Sequence, residues 1–259
     1  MKRSRREVQL RQQALLHYLS ENPDATPAEL AEIFSVSPVT LHRDLRLLEE
    51  HHLVETYYGG VRLLSAETAS EDLLICQEAI ARYAASFVED DDLIFLNTSS
   101  TALMMLPYVE AKNVTVITNN GNAIKHNYRS NLSIILTGGE LRHPKESMVG
   151  DYAVRTLMGI SARKCFLGCS GLSLERGMTT INFNEVSLNE LMVERTVGDT
   201  FILCDHTKIQ RDENYTSCSL EKIDHIITDS RLDPAVASLY RRQGLDLHTA
   251  PIERKTAAQ

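Results

Sequence analysis

The sequence predicts an α/β protein in which a small helical unit ending in a β-hairpin precedes a larger, mainly parallel α/β domain. Two patterns lead to this prediction. Apolar residues repeat at helical spacing in three successive segments before residue 50, and short apolar strands alternate with helical segments from about residue 93 onward. Such alternation is typical of a parallel sheet covered by helices. We expect the helical unit at 1–64, a linker at 65–72, the α/β domain at 73–252 and a flexible tail at 253–259.

Composition places the chain among globular proteins, since 43% of its 259 residues are hydrophobic and 24% are charged. No apolar run reaches the roughly 18 residues that a membrane-spanning helix needs, so we expect no membrane partner. The five cysteines are odd in number and form no CxxC pair, which indicates neither a zinc site nor a disulfide framework. We expect buried thiols in a reducing cytoplasm, with no bound metal or cofactor.

The charge is distributed unevenly along the chain. The net charge is −8, and residues 1–64 hold eight Lys/Arg against nine Asp/Glu, so neither part is basic as a whole. Residues 1–11, however, carry five cations against Glu7 alone. Because phosphate affinity depends on where cations lie, we expect Arg5 and Arg6 to contact DNA phosphates, the alternative being a solvated tail.

Two helices are predicted in the first 35 residues. The first covers residues 7–20, where apolar residues repeat near the helical period, and Pro23 helps to end it. The second begins at a capping box formed by Thr26 and Glu29, with Pro27 at the first helical position. Its buried side is predicted to consist of Leu30, Ala31 and Phe34.

A third helix follows a tight turn at Ser35-Val36. Ser37 suits the N-cap, Pro38 suits the first helical position, and three leucines at 41, 45 and 48 share one face. Three helices with a tight turn before the third predict a helix-turn-helix, whose last helix enters the DNA major groove. Arg43 is the strongest candidate for a base contact, for example to guanine. The predicted DNA contacts of this helix are Ser37, Pro38, Val39, Thr40, His42, Arg43 and Arg46.

A small β-hairpin is predicted directly after the third helix. Residues 53–58 and 61–64 have strand character, and Gly59-Gly60 supplies a turn between them. A hairpin in this place is the wing of a winged helix. We expect Tyr58 to contact the DNA backbone or minor groove, with ordinary strand surface as the alternative.

The larger domain begins with a helix over about 71–88, and the acidic run 89–92 that ends it is predicted to be a solvated turn. Strands are predicted at 93–96, 114–117, 132–136, 164–167, 200–204, 224–228 and 245–248. Helices are predicted at about 100–109, 121–128, 150–159, 185–197 and 234–242.

Small, hydroxyl and amide residues recur just after five of these strands. In open α/β sheets ligands bind beyond the carboxyl ends of the strands, so these loops predict a site for a polar, anionic small molecule. Helix caps and tight turns explain any one loop equally well, but five on one edge favour a site. The predicted effector-binding residues are Asn97, Thr98, Ser99, Ser100, Thr101, Thr118, Asn119, Gly138, Gly139, Ser170, Gly171 and Lys208.

No catalytic motif accompanies these loops. The sequence contains no Walker loop, HExxH, G-x-S-x-G or G-x-G-x-x-G. Asp205 and His206 are adjacent, which in a strand would point them to opposite faces. We therefore predict binding without catalysis.

Residues from about 8 to 250 resemble DeoR-type bacterial transcriptional repressors. Residues 36–45 are similar to the family's V-S-x-x-T-[IV]-R-R-D-L, and 177–180 and 205–208 match later signatures. The resemblance implies a winged-helix DNA-binding domain and a sensor domain similar to sugar-phosphate isomerases and CoA transferases. Family members usually repress carbohydrate-use operons and release DNA when a phosphorylated sugar binds. The resemblance therefore implies double-stranded DNA and a sugar phosphate as partners. We also expect a homo-oligomer, either a dimer or a tetramer.

The chain departs from the family pattern at several positions. His42 replaces the first arginine of R-R-D, and His51 or His52 stands where a glycine is usual. Residues 97–101 replace the usual D-x-G-[ST]-T phosphate loop, and Ser170 replaces the aspartate of D-G. These differences predict an unusual operator and either an atypical effector or lost sensing. Two other classes stay open: a sugar-phosphate isomerase with an accessory helical domain, and a winged-helix module for protein partners.

Overall fold

A computed structural model describes residues 11–12, 14–16, 18–19, 22, 25–50, 54–57, 60–63, 66–125, 128, 130–143 and 145–252. The chain divides into two compact units, Met1–Leu74 and Ile75–Gln259. No helix among the described residues is both long enough and apolar enough to span a membrane.

The first unit has the predicted helix-turn-helix with a hairpin. Residues 11–12, 14–16 and 18–19 are helical, followed by α1 (Pro27–Ile33), α2 (Pro38–Glu50), β1 (Val54–Tyr57) and β2 (Gly60–Leu63). The two strands are antiparallel, and Tyr57 pairs with Gly60, so Gly60 lies in the strand and not in the predicted turn. A bridge between Ala25 and Val61 ties the start of α1 to the hairpin.

The core of the first unit is built from the apolar faces that the helical periods predict. Thr26 and Glu29 form the expected capping box of α1. Phe34 is only half-buried and meets the ring of Tyr18 edge-on, with centroids 5.9 Å apart. The fully or nearly fully buried side chains are Leu15, Leu19, Leu30, Leu41, Leu45, Leu48, Val54 and Val61.

The second unit is built on a parallel sheet of seven described strands. Apolar clusters cover both of its faces, as expected for helices packed on a parallel sheet. Its strands are β3 (Leu93–Leu96), β4 (Val114–Thr118), β5 (Leu132–Leu136), β6 (Glu140–Arg142), β7 (Ser147–Val149), β8 (Lys164–Gly168), β9 (Gly171–Ser173), β10 (Gly177–Thr180), β11 (Thr200–Leu203), β12 (Tyr215–Cys218), β13 (His225–Asp229) and β14 (Asp246–Ala250). Its helices are α3 (Ala66–Ala85, in which the division between units falls), α4 (Ser100–Met104), α5 (Asp151–Met158), α6 (Phe183–Glu194) and α7 (Pro234–Arg242).

The order of the strands reverses between β3 and β8. From β3 the chain builds outward through β4 to β5, and it then returns to the other side of β3 and continues through β8, β11 and β13 to β14. Such a switch point opens a crevice at the carboxyl ends of the two central strands. The predicted effector loops after β3 and β8 therefore meet at this crevice.

Several predicted elements differ in extent. The helix expected at 100–109 ends at Met104 and is followed by a 3-10 turn, Leu106–Tyr108, because Pro107 has no amide hydrogen to continue the helix. The helix expected at 121–128 is a 3-10 segment, Gly121–Lys125. Two small antiparallel sheets were not predicted: β6 with β7, and β9, β10 and β12 together.

One predicted linker and one predicted turn differ in structure. Helix α3 begins at Ala66, so residues 66–70 of the predicted linker are helical. The acidic run at 89–92 is not simply a solvated turn, because Asp92 is buried and binds the Nζ atom of Lys164 at 2.9 Å. Glu89 binds the same ammonium at 2.8 Å, and Lys164 and Arg163 hold its pKa below the ordinary value.

Candidate DNA-binding surface and effector site

The start of α2 is fixed by Ser37. Its hydroxyl accepts a hydrogen bond from the Thr40 amide at 3.2 Å and lies 2.8 Å from the Thr40 hydroxyl. Ser35, in the turn before it, has a positive φ of 48°, which allows the chain to reverse sharply between the helices. The cap and the turn together set the direction in which α2 begins.

The side of α2 opposite its leucines faces solvent. Val39 is 80% exposed, and His42, Arg43 and Arg46 are exposed beside it. Ser37 and Pro38 are also exposed, whereas Thr40 is half-buried. The predicted contact residues of the helix therefore form one accessible surface, which we call the α2 outer face (Ser37–Thr40, His42, Arg43 and Arg46).

Asp44 lies on the other side of the same helix. It is 2% exposed, and its carboxylate accepts a hydrogen bond from Arg11 Nε at 2.6 Å. Arg11 is one of the five N-terminal cations, so its charge is engaged inside the unit. The Arg11–Asp44 pair anchors α2 to the first helical segment, while Arg43 next to it faces outward.

Three predicted DNA contacts, Arg5, Arg6 and Tyr58, lie outside the described residues, as do His51 and His52. Their roles remain predictions from the sequence.

Asn97 bridges the crevice between β3 and β8. Its amide nitrogen donates to the Gly168 carbonyl at 2.8 Å, and its oxygen accepts from the Gly168 amide at 3.0 Å. The same nitrogen donates to Asn189 Oδ1 on α6 at 3.1 Å. A side chain at Gly168 would collide with Ser99, whose Oγ would lie 1.9 Å from the added Cβ. The two strand ends are thus joined by side-chain bonds that need both Asn97 and a glycine.

A second set of buried polar side chains lies next to Asn97, at the carboxyl ends of β3 and β4. Thr98 Oγ1 accepts from Asn119 Nδ2 at 3.3 Å and lies 3.4 Å from Ser147 Oγ on β7. Asn120 Nδ2 donates to the Thr98 carbonyl at 3.2 Å. Asn119 Oδ1 is buried without a hydrogen-bond partner among the described groups. A buried acceptor of this kind is costly unless a donor, such as a ligand hydroxyl, reaches it.

The other predicted residues near these two groups differ in accessibility. Ser99 caps α4 through a 3.4 Å bond from the Ala102 amide, Ser100 is exposed, and Thr101 and Thr118 are buried. Gly138 and Gly139 have positive φ values of 70° and 108° in the loop between β5 and β6, which favours glycine.

Two further predicted groups lie at the same edge, one after β8 and one after β11. The Ser170 amide donates to the Thr179 carbonyl at 3.0 Å, and Gly171 is packed against the Arg211 carbonyl. Lys208 pairs with Asp205, with Nζ and Oδ2 3.2 Å apart. Burial alone would raise the pKa of Asp205, but the Lys208 ammonium and Thr207 hold it below its ordinary value. Asp205 is therefore an internal counter-ion for the Lys208 ammonium.

The structure adds three residues that the sequence did not single out: Asn120, Ser147 and Asn189. Asn120 stood in a loop that the sequence did identify, directly after Asn119. Ser147 lies on a three-residue strand, and Asn189 lies within α6, so neither carried a local signal of a site.

Both parts of the chain match known families. Residues 11–67 match the DeoR-like helix-turn-helix domain, and residues 76–230 match the DeoR C terminal sensor domain. The second match alone covers more than half of the chain.

Relatives that match over nearly their full length support the same family assignment. The chain is 33% identical over 249 residues to the HTH-type transcriptional regulator GolR of Listeria innocua, a match that covers 93% of this chain and 98% of GolR. It is 28% identical to the HTH-type transcriptional repressor GlcR of Bacillus subtilis, over 90% of this chain and 93% of that protein. Among solved structures, ribose 5-phosphate isomerase A of Methanocaldococcus jannaschii aligns with 16% identity and a TM-score of 0.37 over 54% of this chain and 55% of the isomerase, too weakly to bear on function.

These matches identify a regulator and not an enzyme, since both domain families and the relatives of similar length are regulatory. The capped α2 outer face and the parallel sheet with its switch point are the two parts that such a regulator requires. The chain belongs to the DeoR family of helix-turn-helix transcriptional regulators.

Proposed function

We propose that this regulator represses a carbohydrate-use operon and leaves its operator when a phosphorylated sugar or a similar anionic metabolite binds the sensor unit. The α2 outer face carries the DNA part of this proposal. It presents a hydrophobic side chain, an imidazole and two guanidinium groups on a helix whose start is accessible, as major-groove recognition requires.

The effector part rests on the crevice between β3 and β8 and its polar neighbours. Thr98, Asn119 and Ser147 offer hydroxyl and amide groups that suit sugar hydroxyls, and Asn119 Oδ1 has acceptor capacity to spare. On the same edge, the exposed Ser100 hydroxyl and the half-buried Lys208 ammonium, which is paired with Asp205, are candidates for contacts with a phosphate. The loss of the family's usual acid at Asn97 favours an effector different from that of most relatives.

Regulation requires that the effector bind one arrangement of the DNA-binding units better than another, because equal affinity would shift nothing. A dimer supplies two such units for two operator half-sites, and a tetramer supplies two pairs of them. Since its partner is chromosomal DNA, we place the protein in the bacterial cytoplasm.

Genome-wide footprinting followed by gel-shift assays tests the proposal in two steps. Footprinting should find sites beside carbohydrate-use genes. In gel-shift assays, the protein's affinity for these sites should fall steeply as the salt concentration rises. A panel of aldose and ketose phosphates should contain a compound that releases the operator, whereas its unphosphorylated parent should not. If footprinting finds no specific site, the DNA part of the proposal is refuted. If none of the sugar phosphates releases the operator, the effector part is refuted.

A variant tests the location of the effector. Thr98→Val should keep operator affinity and raise the releasing concentration by up to about tenfold, because a hydrogen bond to a buried hydroxyl is worth roughly 0.5–1.5 kcal/mol. Thr249→Val, an exposed threonine on β14, is the matched control. An unchanged response of Thr98→Val would move the effector elsewhere.

A further inference from the structure

We propose that His225, Asp246 and His248 form a site for one divalent transition-metal ion of the zinc class. The three residues lie on neighbouring strands: His225 begins β13, Asp246 begins β14, and His248 is the third residue of β14. This is the amino-terminal edge of the sheet, opposite the carboxyl edge that carries the proposed effector site. The site is therefore independent of the proposed function.

The three candidate ligand atoms are spaced as around a tetrahedral ion. Nδ1 of His225 lies 3.1 Å from Oδ2 of Asp246, and Nε2 of His248 lies 3.3 Å from the same oxygen. The two ring nitrogens are 3.3 Å apart. Ligands held about 2.0–2.1 Å from a tetrahedral zinc ion are separated by roughly 3.3–3.4 Å, so these atoms match one face of the tetrahedron.

Protons cannot satisfy all three contacts at once. If Nδ1 of His225 and Nε2 of His248 both carry a hydrogen, each can donate it to Asp246. The two N–H groups then face each other, which is unfavourable because both are donors. If only one carries hydrogen, the lone pair of the other faces the carboxylate oxygen. With Asp246 as a carboxylate, either arrangement leaves one unfavourable contact. A single cation between the three atoms removes it, because all three then act as donors of lone pairs.

The two imidazoles are held in place by neighbouring rings. His225 stacks on Phe201 with centroids 4.5 Å apart, and Phe87 meets the edge of His248 at 5.2 Å. The Tyr83 hydroxyl lies 3.4 Å from Nδ1 of His248, which leaves Nε2 as the ligand, the usual arrangement for a metal-binding histidine.

The fourth position is open to water. The Asp246 side chain is 60% exposed, so an ion can enter from solvent and keep a water ligand. Bound there, it would fasten the edge strand β14 to β13. The sequence does not reveal the site because 21 residues separate His225 from Asp246, and only strand pairing brings them together.

A competing cluster must be distinguished in any test. Cys76, His206 and Asp229 also lie close together, but burial, with Asp229 next in effect, raises the pKa of the Cys76 thiol to about 11. That cluster would bind through a thiolate, which has its own spectroscopic signature.

Titration of the full-length, chelator-treated protein with Co²⁺ and Zn²⁺ tests the proposal. The wild type should bind Co²⁺ with visible d–d bands and no thiolate-to-cobalt charge-transfer band, and Zn²⁺ should displace it and raise the melting temperature. Asp246→Asn and His248→Gln should each weaken the Kd by more than about tenfold, the loss that even an outer-shell partner can cause. His143→Gln, an exposed histidine paired with Glu146 alone among the described residues, is the matched control and should bind normally.

The outcomes separate cleanly. Asp246 is exposed, so Asp246→Asn should fold, and circular dichroism checks this. Binding by a folded Asp246→Asn variant equal to wild type would overturn the proposal. So would a spectrum with a thiolate band, which would assign the metal to Cys76, or no binding by the wild type.

Discussion

At the scale of single residues, two neighbours on α2 perform opposite tasks. Arg43 is exposed on the α2 outer face, whereas Asp44 is buried against Arg11. Asp44 therefore serves the fold, although it stands within the motif that resembles the family's recognition helix.

Removing the Asp44 carboxylate should destabilise the DNA-binding unit. Asp44→Ala leaves the largely buried guanidinium of Arg11 without an ion-pair partner among the described residues, which typically costs about 3 kcal/mol. Hydrogen exchange of the α2 amides measures the loss within this unit. Glu32→Ala, at an exposed acid on α1, should change the free energy of opening by less than about 0.5 kcal/mol. Equal effects of the two substitutions would show that the Arg11–Asp44 pair does not anchor the helix.

Burial of single residues also determines how reactive the cysteines are. All five are free and buried, as the sequence predicted. Burial raises the pKa of Cys165 to about 11 and that of Cys218 to about 12, with smaller effects from neighbouring charges. Since a raised pKa leaves little thiolate near neutral pH, a colorimetric disulfide reagent should react slowly with the native chain at pH 8 and rapidly after guanidinium unfolding. Rapid reaction of the native protein would contradict this.

At the scale of elements, the join between β3 and β8 depends on Gly168. Gly168→Ala places a methyl group 1.9 Å from Ser99 Oγ and should lower the stability of the sensor unit by about 1–3 kcal/mol. Thermal unfolding followed by circular dichroism measures the effect. Adding Ser99→Gly should restore most of it, because glycine replaces a serine cap at a cost of only a few tenths of a kcal/mol.

Gly159→Ala is the matched control for this steric argument. The nearest atom to its added Cβ is the Thr156 carbonyl oxygen at 4.0 Å, so the change should be tolerated. If Gly168→Ala melts like Gly159→Ala, the close approach of Ser99 is not as tight as described.

Local signals predicted elements well. Ser37, Pro38 and the leucines at 41, 45 and 48 define α2 within a few residues, and the structure confirms its start, its cap and its buried face. The apolar runs of the parallel strands are equally local. By contrast, strands of three residues such as β6 and β7 leave almost no pattern.

Contacts between distant segments were beyond sequence reasoning. Asn97 was predicted as a ligand-binding residue, but nothing near it indicates Gly168 or Asn189 as its partners. Asp92 belongs to an acidic run, and only the pairing of β3 with β8 brings Lys164 to it. The strand order decides these contacts, and no local pattern encodes it.

At the scale of the whole molecule, the chain joins a DNA-binding unit to a sensor unit, and we propose a different task for each edge of the sensor's parallel sheet. The carboxyl edge carries the proposed effector site, and the amino-terminal edge carries the proposed metal site. We propose that the α2 outer face is the surface that recognises the operator.

Operator affinity of Arg43→Ala, compared with wild type and with the exposed Arg242→Ala on α7, tests this claim most directly. Both variants remove one positive charge, but only Arg43 lies on the α2 outer face. We expect gel-shift titration to show a loss of about 1–3 kcal/mol in specific binding for Arg43→Ala and almost none for Arg242→Ala. An unchanged operator affinity of Arg43→Ala would contradict the placement of α2 in the major groove.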